Sequence, residues 1–94
     1  MESLFKIAWM EAKQTTPIEQ YVIDRIKEIR IAKGFSQRRL ENEADFPGGF
    51  VGRVESPKQH VKYNLNHINR IASILKCSLK EFFPDRALPV NNAK

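Results

Sequence analysis

Hydrophobic residues recur at helical spacing along most of the chain, and the places where the rhythm fails mark the ends of elements. Ile18, Val22, Ile26 and Ile29 follow one another at steps of four, four and three, with Tyr21 and Ile23 flanking them, which predicts a helix from Pro17 to Lys33. Thr16 offers an N-cap oxygen, Pro17 suits the first helical position, and Lys33-Gly34 sets a cation and a turn-tolerant residue at the far end. Ahead of that break, residues 2–13 place Leu4, Ala8 and Glu11 on one face with Phe5 and Trp9 adjacent, the pattern of an amphipathic helix. Two shorter groups follow. Ser36 caps a segment reaching Ala44 with Leu40 and Ala44 inward, and Asp45 suits a left-handed turn. Pro47 is expected to open a second short helix through about Glu55, with Val51 and Val54 inward, stopped by Ser56-Pro57. After a polar loop to Lys62, Asn64 caps a helix with Leu65, Ile68, Ile71, Ala72 and Leu75 inward. Ser78-Leu79-Lys80-Glu81 reads as a capping box opening a final turn that buries Phe82 and Phe83 before Pro84. No stretch alternates with the period of a strand, so the expected fold class is all-α: five short helices behind an additional N-terminal one.

Composition narrows the function. The 94 residues carry sixteen Lys and Arg against eleven Asp and Glu, a net charge of +5, which suits a polyanionic partner without specifying one. A single cysteine, Cys77, excludes an internal disulfide, and with His60 and His67 it makes a poor supply of zinc ligands. No apolar run nears the ~20 residues of a membrane span. The segment Leu4–Met10 contains Lys6 and lacks a small-residue cleavage site, so it does not read as a signal peptide. A reduced, cytoplasmic protein with no membrane association is expected. The chain divides into an N-terminal amphipathic segment (1–16), a helical domain (17–84) and a short tail (85–94).

Two short helices joined by a tight turn within a helical cluster form a helix-turn-helix arrangement. The residues Ile26-x-x-Ile29-Arg30, Gly34-Phe35-Ser36-Gln37-x-x-Leu40, Phe50-Val51-x-Arg53-Val54-Glu55 and Leu65-x-x-Ile68-x-x-Ile71-Ala72-x-x-Leu75-x-x-Ser78-Leu79-x-x-Phe82-Phe83 carry a resemblance to a known family. Across residues 18–83 the chain resembles the Cro/lambda-repressor-like helix-turn-helix DNA-binding domains, also called the xenobiotic-response-element family. The resemblance implies a five-helix lambda-repressor-like fold and double-stranded DNA as the partner. It places Gln37 at the start of the first motif helix, where an amide and free backbone N–H groups can meet a phosphate. It places the N-terminal residues of the second motif helix at base edges. Here those are Pro47, Gly48 and Gly49, which leave backbone approach, the face of Phe50 against a thymine methyl or as a half-buried staple, and Arg53 toward guanine or phosphate. Arg38, near Gln37, and Lys58, in the following loop, are candidate phosphate contacts.

Three departures from the family stand out. Glu41 occupies the place of a small alanine between the motif helices, Asp45 replaces the turn glycine, and the Ser56–Lys62 loop is longer than usual. Residues 36–62 carry only +1, Arg38, Arg39, Arg53, Lys58 and Lys62 standing against Glu41, Glu43, Asp45 and Glu55. Glu55 fits a structural role, pairing with Arg30, and Cys77 fits a packing position. No spacing assembles a catalytic triad and no phosphate-loop glycine pattern occurs, so an enzyme is not expected. The reading is a sequence-specific DNA-binding transcriptional regulator, a repressor without cofactor, cytoplasmic and nucleoid-associated, binding as a homodimer to two half-sites about one helical turn apart. The alternative is a protein-interaction module such as an antitoxin or adaptor, favoured by the side-chain-poor Pro47-Gly48-Gly49 and by the apolar N-terminal segment.

Overall fold

A computed structural model describes residues 13–90, and the expected N-terminal helix at 2–13 lies almost wholly outside them. Four α-helices and a 3-10 turn follow in order: α1 (Pro17–Ala32), α2 (Gln37–Ala44), α3 (Phe50–Glu55), α4 (Leu65–Leu75) and the 3-10 helix (Leu79–Phe82). Among the described residues no strand occurs, and no helix is long and apolar enough to cross a membrane. The fold is all-α.

Local chemistry explains the starts. Thr16 accepts from the Glu19 N–H while the Glu19 carboxylate accepts from the Thr16 N–H, a complete capping box ahead of Pro17. Ser36 caps α2 through the Arg39 N–H at 3.0 Å. Asn64 caps α4 through the His67 N–H, and His67 Nδ1 accepts from the Asn64 N–H in return. Ser78 and Glu81 repeat the device at the 3-10 turn. Left-handed residues close the ends: Gly34 lies just past α1, Asp45 caps α2 with φ 58° and Lys76 caps α4 with φ 56°. Asp45 thus takes the conformation expected of it.

The helices converge on one core in which Ile26, Leu40, Val51, Val54, Ile71 and Phe82 are fully enclosed and Leu75 is nearly so. α1 backs the motif, with α3 and the 3-10 turn packed against it, while α2 packs against both α3 and α4. Beneath α3 sits a buried ion pair. Arg30 Nε and Nη2 donate to the two Glu55 carboxylate oxygens at 3.0 and 2.9 Å, and Arg30 Nη1 donates to the Phe35 carbonyl at 2.7 Å. With side chains only 7% and 3% exposed, this pair ties the end of α1, the turn after it and the end of α3.

Three expectations need correction. The second motif helix begins at Phe50, because Pro47 brings no capping oxygen and the chain turns first through Gly48 and a left-handed Gly49 (φ 83°). Leu65 is 78% exposed, since it sits in the first turn of α4, where the inward stripe overhangs the edge of the core. Phe83 is half-buried, packed against the core from outside it.

Candidate nucleic-acid interface

The outer side of the helix-turn-helix is assembled from the start of α2, the turn between the motif helices and the solvent face of α3. Gln37 is the first residue of α2, and its amide donates to Glu55 Oε1 at 2.9 Å, the same oxygen that accepts from Arg30 Nη2. The buried pair therefore orients Gln37. Its Oε1 faces Gly52, where a β-carbon would stand 3.1 Å away, so glycine leaves room for the amide.

In α3, Val51 and Val54 turn inward while Arg53 turns outward and is exposed. Arg53 Nη1 reaches back along the helix to the Gly48 carbonyl at 3.4 Å, and a β-carbon on Gly49 would meet it at 3.1 Å. The guanidinium thus lies against Gly49 and reaches the Gly48 carbonyl, directed at the N-terminal end of the helix. Gly49 is needed for its positive φ as well as for this space.

The N-terminus of α3 receives no cap from its own turn. Glu41 of α2, only 6% exposed, supplies it instead. Its Oε1 accepts from the Gly49 N–H at 2.9 Å, and its Oε2 accepts from the Val51 N–H at 2.9 Å and the Gly52 N–H at 3.4 Å. A carboxylate inside the fold is tolerated here because N–H groups and the positive end of the helix surround it. Sequence reading placed Glu41 as a departure and missed this role. The signal available was a helix start with no capping oxygen beside an acid where a small residue usually stands.

Phe50 belongs to an aromatic cluster, its ring centroid 4.7 Å from His67, 5.2 Å from Phe46 and 5.9 Å from Tyr63, all near edge-to-face. The ring is half-buried, so part of it is given to packing. Burial, with Arg70 nearby, holds the His67 imidazole below the usual histidine range. The Tyr63 hydroxyl is enclosed without a hydrogen-bond partner, and burial pushes its pKa upward.

The structure thus brings Gln37, Gly48, Gly49 and Arg53 together around α3, with Phe50 at the helix start and Pro47 exposed in the turn. Arg38 and Lys58 are both exposed, in the first turn of α2 and in the loop after α3. Two other cations of residues 36–62 are engaged elsewhere. Lys62 Nζ pairs with Glu19 at 2.8 Å, and that bond draws the Glu19 carboxyl below the usual carboxylate range. Arg39 pairs with Glu43 at 2.8 Å and stacks over Phe35. Among the described residues no group of three His, Cys, Asp or Glu is placed to hold a metal ion.

Comparison with known proteins finds a similar solved structure. The restriction-modification controller protein C.AhdI from Aeromonas hydrophila matches with a TM-score of 0.59 and 30% sequence identity, over 67% of this chain and 92% of that one. No family model and no curated protein matches the chain.

Proposed function

The chain belongs to the Cro/lambda-repressor-like family of helix-turn-helix domains, and from that premise we propose that it is a sequence-specific DNA-binding transcriptional regulator acting as a repressor. The similarity to a restriction-modification controller protein supports a regulatory role. Arg53 carries the reading. It is the exposed, cationic side chain of α3, laid against Gly49 and the Gly48 carbonyl toward the end of the helix that a recognition helix presents to bases. Because it is held by one long hydrogen bond to a carbonyl, it can exchange that bond for guanine acceptors at small cost. Around it, Gln37, oriented by Glu55, meets one phosphate, and Arg38 and Lys58 meet others. Pro47, Gly48 and Gly49 let the backbone approach, and the exposed part of Phe50 meets a thymine methyl. The DNA-binding unit is residues 17–84, it acts in the cytoplasm at the nucleoid without a cofactor, and it binds as a homodimer on paired half-sites.

Selection of duplexes from a random pool, followed by a salt titration on selected and random duplexes, tests this directly. Arg53→Ala should cost about 1–3 kcal/mol on the selected duplex and much less on random DNA. Lys58→Ala should weaken both alike and reduce the slope of log K against log salt by about 1. Equal weakening by Arg53→Ala on both duplexes would make Arg53 a phosphate contact. Absence of binding to either duplex at low salt would favour the antitoxin or adaptor reading instead.

A further inference from the structure

α3 is six residues long, starts from a left-handed glycine and has no capping side chain in its own turn. Such a helix frays from its N-terminus unless something holds the first N–H groups. Those groups belong to Gly49, Val51 and Gly52, and all three converge on the Glu41 carboxylate. Of these, Gly49 is the residue against which the Arg53 guanidinium lies, one position after the Gly48 carbonyl that it reaches.

We propose that Glu41 is the positioning residue of the DNA-reading surface: it clamps the Gly49–Gly52 backbone in the arrangement that directs Arg53, and it withdraws the start of α3 from phosphate binding. The inference rests on the DNA-binding reading above. The first half follows from geometry. One carboxylate bridges the turn and the first turn of the helix, so its loss frees both at once. The second half follows from charge and valence. The anion that a helix N-terminus attracts is already present from within the fold, and its N–H donors are already engaged. A phosphate approaching there would meet negative charge with few open donors. Discrimination between sequences is therefore concentrated in Arg53, and affinity comes from cations further out.

Glu41→Gln tests both halves, since it keeps length and one acceptor but loses the charge and sets an amide NH2 against a backbone N–H. On a duplex selected with the wild-type chain, affinity should fall on the order of tenfold. On a scrambled duplex of equal length it should hold or rise, with a steeper salt slope as the freed N–H groups take phosphate. Glu41→Ala, the residue type usual in the family at this position, gives the same test if the glutamine variant folds poorly. Amide exchange should accelerate at Gly49, Val51 and Gly52 while Ile71 and Leu75 keep their protection. Equal weakening on both duplexes, unchanged binding, or acceleration spread evenly over the core would each overturn the proposal. If the wild-type chain prefers no duplex, the DNA-binding reading fails and takes the readout half with it. The exchange pattern then decides by itself whether Glu41 holds the turn.

Discussion

His67 shows how one side chain joins the start of a helix to the candidate interface. As the third residue of α4 its Nδ1 accepts from the Asn64 N–H, which requires the neutral ring, and its face packs against Phe50 at 4.7 Å. Burial and Arg70 hold its imidazole below the usual histidine range, so the unfolded chain binds the proton first as pH falls. The neutral form therefore contributes stability that is present above about pH 6.5 and is lost as pH drops through the lower folded value. Denaturant melts at pH 7 and pH 5 should show a loss that His67→Gln, which keeps an acceptor at the same capping position, reduces. An identical pH dependence in the variant would remove His67 as its source.

Among the elements, α4 is the spine of the core. Its Ile71 and Leu75 are 0% and 1% exposed, and helical period alone put them inward. Leu75→Ala should cost about 2–5 kcal/mol in a denaturant melt, by loss of transfer energy and by the cavity left behind. A cost below about 1 kcal/mol would mean that the neighbouring side chains close over the gap. The same period misjudged Leu65, because periodicity assigns a residue to a face without saying whether its turn projects past the neighbouring helices. Nor did it find the start of α3, since Pro47 marks a possible first turn but only the glycine conformation shows where the helix begins.

Across the whole molecule, helix ends are tied by side chains remote in sequence. Arg70 donates to the Ala44 carbonyl at the end of α2 at 2.9 Å, and Lys33 donates to the Leu75 carbonyl at the end of α4 at 2.7 Å. Lys13 donates through Nζ to the Val54 carbonyl near the end of α3, and its N–H bonds the Pro57 carbonyl at 2.8 Å, so the segment ahead of α1 is anchored beside the motif. The Arg30–Glu55 pair is the most buried of these links and also orients Gln37. Arg30→Ala should be destabilising by about 3–5 kcal/mol, because it strands the Glu55 charge inside the fold. A melt little changed from wild type would show that water reaches Glu55 and relieves it.

The division between what is legible in the chain and what is not follows the range of each interaction. Thr16, Ser36, Asn64 and Ser78 reach N–H groups two or three residues onward, so these starts can be read from adjacent letters. The inward stripes of Ile26, Leu40, Val51, Ile71 and Leu75 are equally local, because a helix with one apolar face has one way to turn it. Together with the family resemblance, these determined an all-α helix-turn-helix and the positions that line its outer side. Glu41, ten residues from Val51 along the chain, became a cap only when α2 and α3 packed. The same holds for Lys13, Lys33 and Arg70, and for the pairing of Lys62 with Glu19. A charged side chain has many possible partners in sequence, and packing leaves it with one.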